Sequence, residues 1–165
     1  MPGDMYRLTR VKKLGGFTLI ELMIGVAILA ILIAAAIPNF TRQIQSGRAE
    51  MAAKSFARTV ASARAIASQT GRRTQLVVNS APSGVSGCNS PKWMIVQDTT
   101  VLNCMTTADF VSRYEGTTVT EASVTITYLP TGIATNTDAQ TYSFAAGNVT
   151  KKVTINAGGT ADIIL

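Results

Sequence analysis

The chain has 165 residues, 47% apolar and 15% charged, with 15 Lys and Arg against 9 Asp and Glu, 2 Cys and no His. That length allows one domain beyond a membrane segment. Without His, and without G-x-S-x-G, a phosphate loop or G-x-G-x-x-G, no nucleophile–base set can be named, so an enzyme is not expected. Two thiolates alone do not complete a tetrahedral zinc site, so neither metal nor cofactor is expected.

The first 16 residues hold Arg7, Arg10, Lys12 and Lys13, with Asp4 the only acid. Phe17 to Ile37 follows, 21 residues with one charge, Glu21. As a helix this run is about 31 Å long, at ~1.5 Å per residue, close to the ~30 Å hydrocarbon core of a bilayer. The upstream cations predict a cytoplasmic N-terminus, with the bulk of the chain across the membrane. No A-x-A-like site follows Ile37, so the apolar run is expected to be kept, unlike a secretory signal. Pro38 should end or kink the helix. Ala27, Ala30 and Ala34 lie to one side and permit close helix packing. Glu21 sits about one turn inside the cytoplasmic edge, where a carboxylate costs less than the ~2.5–3.5 kcal/mol of the bilayer centre. It is either a headgroup-level carboxylate without a partner or half of an ion pair.

Gly16-Phe17-Thr18-Leu19-Ile20-Glu21, with the apolar run and Pro38, resembles the N-terminus of type IV prepilins and type II secretion pseudopilins. Gly16 ends a short basic leader, Phe17 follows it, Glu21 is fifth after the junction, and Pro38 closes the run. The resemblance implies cleavage between Gly16 and Phe17 by a prepilin peptidase, then methylation of the Phe17 amine. It implies inner-membrane lipid around the helix and other pilin or pseudopilin subunits as partners. On that reading Glu21 pairs with the Phe17 amine of a neighbouring subunit and sets the register of assembly.

Asn39 to about Thr70 reads as a second, amphipathic helical half. Ala52, Phe56, Val60, Ala63 and Ala67 recur at steps of four or three and form one stripe. The stripe is expected to seat on a sheet. Gly71 is a C-terminal stop, with Arg72 and Arg73 beside the negative helix end. Arg42, Arg48, Lys54, Arg58, Arg64, Arg72 and Arg73 face one acid, Glu50, in this stretch, whereas six acids and four basic residues follow Thr74. Such a basic helix can bind nucleic acid, but its cations are spread round the helix, which favours a solvated or subunit-facing side.

After Thr74 the period changes to that of strands: Thr74–Val78, Trp93–Gln97, Val124–Tyr128, Thr141–Phe144, Lys151–Ile155 and Ala161–Leu165. Asn79–Pro91, Pro130–Asp138, Ala146–Asn148 and Asn156–Gly159 are turn-rich. Thr106–Glu121 could hold one more strand or a helical turn. Cys88 and Cys104 lie 16 apart. Outside the cytoplasm they are expected to form a disulfide, with two free buried thiols as the alternative.

This half resembles the GspH/FimT-type minor pilins and pseudopilins. Cys88 in a loop, Trp93, a strand ending at Asp98, and Leu129-Pro130-Thr131-Gly132 fit that group's order of features. So does the end, with Val153–Ile155, Gly158-Gly159 and Ala161–Leu165. Major pilins usually bracket a C-terminal loop with their cysteines, whereas 61 residues follow Cys104 here. DNA-uptake members carry Gly-Arg-x-Arg near the C-terminus. Gly159-Thr160-Ala161-Asp162 stands there instead, with an acid that repels phosphate. Lys151 and Lys152 then read as a solvated strand end, and DNA is not an expected partner.

The expectation is an α+β pilin-like chain: a long N-terminal helix packed on an antiparallel sheet or a small two-sheet head. Residues 1–16 are the leader, 17–38 the transmembrane helix, 39–73 its amphipathic half and 74–165 the head. The expected role is a minor type IV pilin, held by the inner membrane with a periplasmic head, then built into a pilus at or near its tip. The alternatives are a type II secretion pseudopilin and a DNA-binding pilin for transformation.

Overall fold

The computed structural model describes residues 16–120, 123–135 and 138–164, with Pro38 by its backbone alone. The leader with Asp4, Arg7, Arg10, Lys12 and Lys13, together with Glu121 and Leu165, lies outside the described residues. The elements are α1 (Leu19–Thr70), β1 (Thr74–Val78), β2 (Pro91–Gln97), β3 (Thr100–Thr106), α2 (Thr107–Arg113), β4 (Thr117–Thr120), β5 (Val124–Tyr128), β6 (Gln140–Ala146), β7 (Val149–Ile155) and β8 (Ala161–Ile164). The chain divides into two compact units, residues 1–38 and 39–165.

In the first unit Thr18 caps α1, its hydroxyl accepting from the Glu21 amide at 3.2 Å. Of the two outcomes expected at Pro38, an end or a kink, the helix does not end there, and α1 continues through it into the amphipathic half. A proline removes its own amide hydrogen from the ladder and its ring crowds the carbonyl four residues back, a cost confined to one turn. The alanines before it are strong helix formers, and the buried stripe after it holds the second half helical.

In the second unit two four-stranded antiparallel sheets, ordered β3-β2-β1-β5 and β4-β6-β7-β8, flank the α1 stripe. Ala52, Phe56, Val60, Ala63 and Ala67 are all buried, as their spacing predicts. Phe56 is the largest of them. Its ring centroid lies 5.3 Å from Trp93 of β2, and 4.7 and 5.7 Å from Tyr142 and Phe144 of β6. One side chain therefore contacts both sheets, and tilted or edge-on rings at these spacings add to simple burial. The alanines let the sheets come close to the helix backbone. Gly71 ends α1 at φ 64°, the left-handed conformation that suits a glycine stop.

The first sheet is covered on both faces. Leu76, Val78, Trp93, Ile95, Ile126 and Tyr128 point to the helix. Val77, Met94 and Val96 point away and pack under Val85, Cys88, Val101 and Cys104. This is why β1 and β2 read as near-continuous apolar runs rather than alternating ones.

Three elements exceed the expectation. Thr100–Thr106 pairs with β2, and the uncertain stretch after it holds both a helix and a strand, α2 and β4. Lys151 and Lys152 are not a strand end. They sit inside β7 opposite Phe144 and Ser143. Their alternation still leaves Lys152 exposed while Val153 and Ile155 are buried.

The β7–β8 turn closes against the core. Gly159 has φ 80°, and its carbonyl accepts a 3.1 Å hydrogen bond from the Tyr128 hydroxyl. A Cβ there would stand 2.5 Å from the Tyr128 ring and 2.7 Å from Ala134. Gly159→Ala should therefore destabilise the head by about 2–5 kcal/mol, from the left-handed backbone plus overpacking. Denaturant unfolding followed by Trp93, the single tryptophan, measures it.

Burial pushes the Tyr128 hydroxyl up to about 12, with Arg64 pulling weakly the other way. The folded head thus keeps a proton that an unfolded chain releases near pH 10. The stabilisation is full below about pH 10 and falls between about pH 10 and about pH 12. Stability should drop more steeply across that window than in Tyr128→Phe, measured by the same fluorescence at each pH.

Candidate functional site

The first unit presents an uncovered apolar surface. From Phe17 to Ile37 every described side chain is exposed, including Leu22, Ile24, Val26, Leu29, Ile31 and Ile33. The apolar half of the helix is long and apolar enough to cross a membrane, and none of that half is buried. Apolar residues all round a helix need an apolar surround, either a protein core or lipid. Here no core covers them.

Glu21 is the only charge in this run. It lies in the first turn of α1, near Phe17 and the dent at Gly25. The sequence Thr18-Leu19-Ile20-Glu21 is a capping box, and the Thr18 hydroxyl takes its half of it. An acid in the first turn also suits the positive helix end. The Thr18 bond engages the Glu21 amide and not its carboxylate, and Glu21 is exposed. Among the described residues Glu21 has no ion-pair partner on its own chain.

In the head Cys88 and Cys104 form the expected disulfide, Cα to Cα 6.1 Å. It ties the 79–90 loop to β3 over the outer face of the first sheet. The loop is fixed at both ends by backbone bonds. The Asn79 amide donates to the Lys92 carbonyl at 3.0 Å, and the Thr107 amide donates to the Ser90 carbonyl at 2.9 Å. Asp98 sits in the β2–β3 turn at φ 58° and pairs with Arg72 at 3.1 Å. Arg72 thus serves that turn rather than the end of α1.

The basic residues of α1 are not one continuous patch. Arg48 reaches Glu115, 3.4 Å to its carboxylate and 3.0 Å to its carbonyl. Lys54 pairs with Glu50 one turn back, which holds the Glu50 carboxyl below the usual range. With Arg72 engaged as well, three cations are locally neutralised. Gly132 of the predicted Pro-x-Gly turn packs beneath Arg64, whose Cγ lies 3.5 Å from where a Cβ would stand. Arg58 instead lines a cleft with Arg113 of α2. No group of three or more Cys, Asp or Glu among the described residues is placed to hold a metal ion.

Two family models match this chain. Residues 12–37 match the prokaryotic N-terminal methylation motif, and residues 52–159 match type II transport protein GspH. No curated protein matches it in sequence. Among solved structures it is similar to the type IV minor pilin FimU of Pseudomonas aeruginosa strain PAO1, in two crystal forms. The first has TM-score 0.53 at 13% identity, over 76% of this chain and 92% of that one. The second has TM-score 0.50 at 12% identity, over 70% and 92%. At such identity the likeness is one of fold.

Loss of the disulfide should cost the head about 3 kcal/mol on the chain-entropy account. Reduction, or Cys88→Ala with Cys104→Ala, should also loosen the 79–90 loop and uncover Val77, Met94 and Val96. A lower unfolding midpoint together with new binding of an apolar dye reads both effects. The protein would then have to keep its fold otherwise, as seen by unchanged far-ultraviolet dichroism.

Proposed function

This chain belongs to the GspH family of type II transport proteins, a family of minor pilins and pseudopilins, and from that premise we propose that it is a minor type IV pilin. A prepilin peptidase removes residues 1–16 between Gly16 and Phe17, and the new Phe17 amine is methylated. The apolar half of α1, residues 17–38, then anchors the chain in the inner membrane with its N-terminus cytoplasmic and its head periplasmic. Residues 39–73 carry the stripe onto the head, and residues 74–165 form the face shown to other subunits. The finished subunit enters a pilus at or near its tip, where it primes assembly.

The observation that supports this most is the bare apolar helix directly after Gly16-Phe17, in a chain whose head matches a filament family. A helix kept only as an anchor needs lipid and nothing more. A helix with one carboxylate in its first turn can also leave lipid when that charge finds a partner. In a filament the partner is the Phe17 amine of the next subunit, since burying a lone carboxylate in an apolar core is costly. Pro38, at the end of the apolar half, adapts the helix to its neighbours. Neither the matched family nor FimU is named for an enzymatic activity.

A type II secretion pseudopilin is the second reading, favoured by the description of the family that covers the head. The FimU likeness favours the pilus. DNA binding is the weakest of the three, because Asp162 stands where the uptake members carry an arginine and the cations of α1 are partly neutralised.

Mass analysis of the mature protein should show a chain that begins at N-methylated Phe17. A product that retains the leader, or one that lacks the apolar helix, overturns the reading. Glu21→Val should be processed and membrane-bound, yet be largely lost from sheared pili. Recovery in the pilus fraction, rather than in a short periplasmic filament, separates the two filament readings.

A further inference from the structure

We propose that the cleft between α1 and the β3–α2 corner is a carboxylate site that receives an acidic side chain of a neighbouring subunit. This rests on the filament reading above and deepens it. The cleft has a volume of about 410 Å³. Arg58 on α1 and Arg113 at the end of α2 stand on its two sides, both exposed. Among the described residues neither has a carboxylate partner within ion-pair distance, whereas Arg48, Lys54 and Arg72 each have one. Ser62 and Asn103 add neutral donors at the rim, and Trp93 and Met105 form a buried apolar floor.

Among the described residues no carboxylate lines the cleft. The nearest acid along the chain, Glu115, is two residues past Arg113 and is held by Arg48 at 3.4 Å. Asp109 lies one turn before Arg113. Its Oδ2 accepts from the Thr106 hydroxyl at 2.7 Å, and its amide donates back to that hydroxyl, so it is used in capping α2. The cleft therefore holds two cations and, among the described residues, no anion, so its guanidiniums can make paired bonds to a planar carboxylate. It is held rigidly. Phe110 anchors α2 to Trp93 at a ring distance of 5.5 Å, and Cys104 in the wall is fixed by the disulfide. A preformed site loses little freedom on binding.

The geometry favours a protein carboxylate over a nucleic acid. Two cations neutralise two charges, too few for the extended phosphate track that supports duplex binding. The one aromatic ring here, Trp93, is 1% exposed and has no face for a base to stack on. A single acidic side chain with an aliphatic stem matches both the guanidiniums and the apolar floor.

The test uses the full processed chain in detergent micelles. The Nε–Hε signals of Arg58 and Arg113 are followed by nuclear magnetic resonance while N-acetyl-glutamate amide is added. Both signals should move saturably and together. Arg58→Gln and Arg113→Gln should each weaken binding about tenfold, the effect of losing one charge-assisted bond. Arg73→Gln, outside the cleft, should change nothing. No saturable shift, an equal response to N-acetyl-glutamine amide, or tighter binding of inorganic phosphate would each overturn the carboxylate site. In cells Arg58→Glu with Arg113→Glu should leave processing at Phe17 and membrane level intact but reduce recovery in filaments several-fold. Normal recovery overturns the subunit role of the cleft. A wild-type chain found unprocessed would instead overturn the filament reading, and would leave the binding result standing.

Discussion

Phe56 touches Trp93 of one sheet and Tyr142 and Phe144 of the other, and the head depends on that junction. Two four-stranded sheets of short strands have little reason to stay together by themselves. Each needs an apolar face covered. The α1 stripe covers an inner face on each, with alanines where backbones approach and one large ring where space remains. The order of small and large residues along the stripe is thus as important as its period. A stripe of the same period made only of leucines would hold the sheets further from the helix.

The disulfide belongs to a different layer of the same construction. The first sheet has Val77, Met94 and Val96 on its far side, where α1 cannot reach. An irregular loop must cover them, and a loop has little apolar surface with which to do it. The Cys88–Cys104 bond and the backbone bonds at Asn79 and Ser90 substitute for packing. The same bond fixes one wall of the Arg58–Arg113 cleft. Stability of the cover and shape of the cleft are therefore coupled through β3.

The sequence made the regular parts of the fold legible. Thr74–Val78 and Val124–Tyr128 have the bounds their composition suggests, and the α1 stripe is buried as its spacing requires. The two Cys were paired by compartment alone. The missed pieces are the short and exposed ones. The third strand, Thr100–Thr106, is an edge strand with one buried side chain, Met105, so no apolar pattern marks it. The seven-residue α2 is too short to show a period, although Thr106 and Asp109 form a capping pair that was readable. Thr18 and Glu21 repeat that signal at the head of α1. Pro38 allowed either an end or a kink, and the stripe from Ala52 to Ala67 marked the helical half that continues beyond it. The close approach of Gly159 to Tyr128, and the cleft shared by Arg58 and Arg113, join segments far apart in sequence. No local pattern encodes either.

The two halves of α1 solve opposite problems with one backbone geometry. Residues 49–67 bury a narrow stripe and leave charge on the other sides, which needs a protein core on one side and water on the rest. Residues 17–37 are apolar in every direction and exposed in every direction, which is stable in lipid and costly in water. Apart from the small residues Ala27, Ala30 and Ala34 on one side, such a surface is alike all round, so apolar packing fixes axial register against a neighbour only weakly. Register must come from something directional, and Glu21 is the only charged group in the run that can supply it. In the head the directional groups are Arg58 and Arg113 of the cleft, while Arg48, Lys54 and Arg72 are already paired. A filament built from this chain would therefore take its cohesion from an apolar helix. Its geometry would come from a few charges placed where nothing else competes with them.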